Sequence, residues 1–121
     1  MNPQKQELDS LSLTFMALAN PTRRKILNML KEEDTLTVNQ LADPFDMSLP
    51  AITKHLKVLQ RAGLIHRSKQ KQWRPTELDA IPLKEAMNWI EEYREFWNQA
   101  LDRLEAHIDE ELQDEKQSKE D

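Results

Sequence analysis

The apolar positions of the chain change their rhythm along its length, and each rhythm predicts an element. Leu8, Leu11, Phe15 and Leu18 recur at spacings of three and four, which predicts a helix over about residues 8–19. Asn20 and Pro21 then supply an N-cap and a first-turn proline for a second helix, which turns Ile26, Leu27 and Leu30 inward and stops near Lys31. The polar stretch 32–36 reads as a loop. Thr37 caps a short third helix through Leu41 and Ala42 that Pro44 ends, and Phe45 and Met47 close the turn after it. Ser48 caps a fourth helix with Pro50 in its first turn. Gly63, the single glycine of the chain, stands where a left-handed C-terminal cap needs a residue without a side chain.

At 100° per residue, Ile52, Leu56 and Leu59 share a narrow arc of the fourth helix, while Pro50, Lys54, Lys57 and Arg61 gather opposite. One face is core and the other is basic. His55 lies at the edge of the buried arc, which favours packing or hydrogen bonding first and a phosphate contact second. Beyond Gly63, residues 64–69 and 73–78 are short extended candidates joined by Gln70, Lys71 and Gln72, a hairpin with a basic tip. Pro75 cannot donate to a ladder and belongs at an edge or strand end; Trp73 suits an anchor between hairpin and core better than a DNA contact.

From Pro82 to about Leu112 one helical pattern runs for on the order of 45 Å. Leu83, Met87, Ile90, Trp97, Leu101, Leu104 and Ile108 form one apolar stripe, and Ala86, Trp89, Tyr93, Phe96 and Ala100 form a second. One stripe is expected to pack on the chain's own domain and the other to need a partner, with Trp89, Tyr93, Phe96, Trp97 and Ala100 as the dimer interface. The domain reading is a flexible start at 1–7, one domain at 8–112 and a disordered acidic tail at 113–121, which has no apolar side chain.

Net charge alters this picture only once it is divided. The whole chain carries −5, yet residues 47–76 hold no acid and seven bases: Lys54, Lys57, Arg61, Arg67, Lys69, Lys71 and Arg74. Local sign decides what a surface attracts, and an acid-free basic run on a helix and hairpin points to nucleic acid. No cysteine means no disulfide, thiolate metal site or cysteine nucleophile, and a single glycine leaves no phosphate-cradling loop. His55, His66 and His107 lie on different elements with no paired nucleophile, so an enzyme is not expected. No apolar run approaches a membrane span, and the first residues lack the apolar core of a secretory signal, so the cytoplasm is the expected compartment.

The order of elements is mainly α with a small β-hairpin: a winged helix-turn-helix followed by a long C-terminal dimerisation helix. The segments 18–27, 48–59 and 62–65, with their serine cap, His55–Leu56 pair and Ala62–Gly63–Leu64 exit, resemble the ArsR/SmtB family of dimeric bacterial repressors. The resemblance extends over about residues 8–112. It implies a homodimer on duplex DNA with a palindromic operator, the fourth helix in the major groove and the wing along the backbone or minor groove. Lys54, Lys57, Arg61, Lys69, Lys71 and Arg74 are then phosphate contacts, Lys54 also reaches a guanine edge, and Ser48, Pro50, Ala51 and Thr53 are small enough to approach the bases. Arg23 and Arg24 are open between backbone contacts and plain solvation.

Many family members sense metals through cysteines on the third helix, where residues 39–43 have none here. His107 and Glu110 match half of a second family site, but Arg94 and Phe96 stand where its other half belongs. One imidazole with scattered carboxylates holds a transition metal poorly, so no metal or other cofactor is expected and the resemblance is to a metal-independent branch. The competing reading is a winged helix that binds protein without reading DNA; the sequence names neither an operator nor an effector.

Overall fold

In the computed structural model, which describes residues 8–68 and 75–120, helix α1 (Ser10–Leu18) opens where the Asp9 carboxylate accepts from the Ser12 N–H at 2.7 Å. That bond holds the Asp9 carboxyl below its usual pKa. The large apolar residues of α1 do not define its buried face as their spacing predicts. Thr14 and Ala17 are buried, whereas Leu8 is exposed and Leu11, Phe15 and Leu18 are half-buried. This helix carries apolar residues around most of its circumference, so the stripe that spacing picks out is not the one that must face the core, and close approach to a neighbour favours small residues. Thr14 is accommodated because its hydroxyl donates to the Ser10 carbonyl at 3.0 Å.

Helix α2 (Pro21–Glu32) is capped by the Asn20 side chain, which accepts from the Thr22 and Arg23 amides. Helix α3 (Val38–Ala42) starts with a reciprocal capping box between Thr37 and Gln40. Helix α4 (Leu49–Arg61) is capped by Ser48, whose hydroxyl accepts from the Ala51 amide. At its far end Gly63 has φ +75°, and the paired bonds Leu64 N–H to Leu59 O and Gly63 N–H to Gln60 O complete a Schellman motif. A Cβ at Gly63 would meet Pro82 Cγ only at ordinary contact, 3.6 Å, so the backbone angle rather than space requires glycine.

Strands β1 (Ile65–Arg67) and β2 (Thr76–Leu78) pair antiparallel, Ile65 opposite Leu78 and Arg67 opposite Thr76. The outer edge of β2 is occupied at Thr76. Leu36, in a stretch that reads as plain loop, exchanges both backbone bonds with Thr76, at 3.1 and 2.8 Å. Ile26, Leu41, Ile52, Leu56, Leu59, Leu64 and Ile65 are fully buried in one core. Each such side chain is worth about 1.5–3 kcal/mol of transfer free energy.

The long helix expected from Pro82 onward is two helices, α5 (Ile81–Glu91) and α6 (Arg94–Glu120). Between them Glu92 and Tyr93 donate to Trp89 and Ile90, three residues back, before the Tyr93 carbonyl accepts from Trp97 four residues on. This tightened turn needs no proline or glycine, and periodicity gives no sign of it. The Trp89 and Tyr93 rings meet across it, with centroids 5.2 Å apart. The chain divides into two compact units, Met1–Ala86 and Met87–Asp121. Residues 113–120, expected to be disordered, continue α6 instead. They contain no proline or glycine and are mostly Glu, Gln and Lys, which are good helix formers. Residues 1–7 lie outside the described residues.

Candidate nucleic-acid interface

The site is built on α4. Its inward arc, Ile52, Leu56 and Leu59, has no exposed surface, which fixes what the rest of the helix presents. Pro50, Lys54, Lys57 and Arg61 are exposed together on the opposite side, as the angular reading predicts. Ser48, at the N-cap, is exposed, and Ala51 and Thr53 flank the core arc half-buried. Ser48 spends one lone pair on the Ala51 amide, at 3.3 Å, so its cap and its approach to a ligand share one oxygen. The wing residues Lys69, Lys71 and Arg74 lie outside the described residues.

Two arginines turn out to have structural work that the sequence left undecided. Arg23 Nε and Nη2 donate to the Ala17 and Met16 carbonyls, both at 2.8 Å, and Arg24 Nη1 donates to the Leu18 carbonyl at 2.7 Å. They satisfy the last carbonyls of α1, where the helix dipole favours positive charge. Sequence separation conceals this, because the donors lie on the next helix. His55 is likewise a hydrogen-bonding residue, its Nδ1 3.3 Å from Arg23 Nη1. Burial first, and the Arg23 charge second, push its pKa down.

At the base of the hairpin, Asp79 Oδ1 accepts from the Ile81 amide at 2.9 Å while Oδ2 lies 2.7 Å from His66 Nε2. The backbone bond and then the His66 contact hold the Asp79 carboxyl low. This link between β1 and the start of α5 has no counterpart in the periodicity.

In the second unit, Trp89, Tyr93, Phe96 and Trp97 are between 41 and 71% exposed, and Ala100 is exposed as well. Met87, Leu101, Leu104, Ile108 and Leu112 are also exposed, so both apolar stripes are exposed along α6, whereas at their start Ala86 is buried and Leu83 is half-buried against the core. His107 Nε2 lies 3.1 Å from Glu111 rather than pairing with Glu110, and no three metal-ligating side chains converge among the described residues. No helix of the described residues is long and apolar enough to cross a membrane.

Comparison with known proteins places this geometry. A family model described as a helix-turn-helix domain matches residues 18–68, which run from the end of α1 to the wing. The chain is 37% identical to the transcriptional repressor SdpR of Bacillus subtilis over 63% of its own length and 83% of that protein. A crystal structure of an ArsR family transcriptional regulator superposes with a TM-score of 0.69 and 38% identity, covering 77% of this chain and 95% of that one. A crystal structure of a possible transcriptional regulator for arsenical resistance gives 0.62 and 37%, covering 83% and 96%. With a winged helix-turn-helix whose basic helix faces outward, and relatives of this identity over most of their length, the chain belongs to the ArsR/SmtB family of DNA-binding transcriptional regulators, which are not enzymes.

Proposed function

We propose that this regulator binds a palindromic duplex operator as a homodimer and represses by occupying it, α4 lying in the major groove and the wing along the backbone or minor groove. The observation that carries the reading is the two-sidedness of α4: a fully buried apolar arc against an exposed face of Pro50, Lys54, Lys57 and Arg61, within a stretch free of acids. Lys54, Lys57 and Arg61, with Lys69, Lys71 and Arg74 of the wing, take phosphates. Lys54 also reaches a guanine edge, and Ser48, Pro50, Ala51 and Thr53 come close to the bases. The exposed aromatic surface of Trp89, Tyr93, Phe96 and Trp97, with Ala100, supports a second copy as its cover. The repressor named among the relatives supports the direction of regulation.

Titrating the protein with a duplex enriched from a random library tests this. Affinity is expected to fall about a thousandfold between roughly 50 and 200 mM salt, since some six phosphate contacts release counterions. Lys54→Ala weakens the enriched duplex more than a scrambled one, whereas Lys71→Ala weakens both alike. A flat salt titration overturns the reading in favour of a protein-binding winged helix.

A further inference from the structure

We propose that Arg23 is a positioning residue for DNA recognition, setting the placement of α4 through the imidazole of His55. The inference rests on α4 being the recognition helix. One guanidinium makes three contacts to two other helices: Nε to the Ala17 carbonyl at 2.8 Å, Nη2 to the Met16 carbonyl at 2.8 Å, and Nη1 to His55 Nδ1 at 3.3 Å. The Arg23 amide is itself held by Asn20 Oδ1 at 3.2 Å, so the fork is anchored at its root. Among the described residues, the bond to His55 is the one side-chain hydrogen bond that α4 makes to another helix.

The rest of the attachment of α4 is apolar, through Ile52, Leu56 and Leu59, and apolar contact is non-directional. A directional bond from a planar, rigid fork resists rotation of the helix about its axis, which packing alone resists less well. Rotation matters at the outer face. Turning a helix by about 15° carries a point about 6 Å from its axis some 1.5 Å, enough to spoil a base contact.

The bond also has a protonation requirement. Arginine only donates, so His55 Nδ1 can accept only while it carries no proton. A proton on Nδ1 would place an N–H and a second positive charge against the guanidinium. Among the described residues Arg23 on α2 is the charged group acting on His55; α1 from Ser10 to Leu18 and α3 from Val38 to Ala42 carry no ionisable side chain, and Lys54 and Lys57 on α4 itself are exposed. Burial and the Arg23 charge both favour the neutral ring.

The test uses a duplex enriched from a random library by the wild-type protein and a scrambled duplex of equal length, and reads the ratio of the two affinities with the melting midpoint alongside. Arg23→Lys and His55→Leu are each expected to lower the ratio about tenfold near pH 7.5, the size of one lost base contact, and the double variant no further than either. The wild-type ratio is expected to be lower at about pH 5 than at about pH 7.5, because the imidazole, its pKa held below 6.5 by burial and by Arg23, gains its proton only in that acid range. His55→Asn, whose amide oxygen stands in for Nδ1 and does not titrate, keeps the ratio at both values. Unchanged ratios, losses that add and merely follow the melting midpoint, or a pH response that survives in His55→Asn overturn the inference alone. A wild-type protein that enriches no duplex overturns the reading of α4 and this inference with it.

Discussion

Two helices of this protein carry the same apolar spacing and end in opposite environments. Ile52, Leu56 and Leu59 of α4 are fully buried, while Trp97, Leu101 and Leu104 of α6, likewise four and then three apart, are exposed, as is Ile108. The spacing says that a face should be covered and says nothing of what covers it. Within its own unit α4 is closed at both ends, by Ser48 and by the Schellman motif at Gly63, and packs with α1, α2 and α3 in one core. At 27 residues, about 40 Å, α6 exceeds what a unit of its size can cover, and none of its described side chains is buried. Apolar surface on this scale is characteristic of an interface rather than of a monomer's exterior.

The sharpest way to test that contrast is one truncation on each helix. Leu56→Ala should destabilise the winged unit by about 2–5 kcal/mol, read as a lower urea midpoint, because a cavity is left among rigid neighbours. Leu101→Ala should leave that midpoint nearly unchanged at concentrations too low for association. A comparable loss at both positions would mean that α6 is core after all. Next in size is Phe96→Glu, which should weaken dimerisation by at least about 2 kcal/mol and operator binding with it while keeping helical content, checked by sedimentation and duplex titration. A variant that stays dimeric and binds normally would move the interface elsewhere. Gly63→Ala should cost about 1–2 kcal/mol, since its +75° φ is strained for any L side chain even though a Cβ fits in the space.

The smallest effect is the dependence of stability on pH. His55 has a lowered pKa in the folded state, so the unfolded chain binds its proton first as pH falls. Its contribution is complete above the ordinary imidazole pKa of 6.5 and is lost progressively below it. Asp79, also lowered, contributes above 3.8 and loses that contribution as pH falls further. Melting midpoints of wild type and His55→Asn between about pH 7.5 and 5.5 should therefore diverge, with wild type the more acid-sensitive.

Some features of this protein were determined locally and could be read from neighbouring residues. Asn20, Thr37 and Ser48 cap helices because a short polar side chain reaches an amide two or three residues on, whatever lies elsewhere. Gly63 ends α4 because its left-handed conformation is strained for a residue with a Cβ, and the two faces of α4 follow from helical geometry once its limits are known. Asn20, Ser48 and Gly63 also lie in the segments that carried the family resemblance. Other features depended on partners distant in sequence. Leu36 joins β2, Arg23 and Arg24 close α1 from the following helix, Arg23 meets His55 across 32 residues, and His66 finds Asp79 from the opposite side of the hairpin. The buried face of α1 was likewise settled by packing, which preferred Thr14 and Ala17 to the larger residues that its periodicity favoured. A local rule knows which groups need a partner; only the tertiary structure brings one within about 3 Å, where a hydrogen bond has its strength.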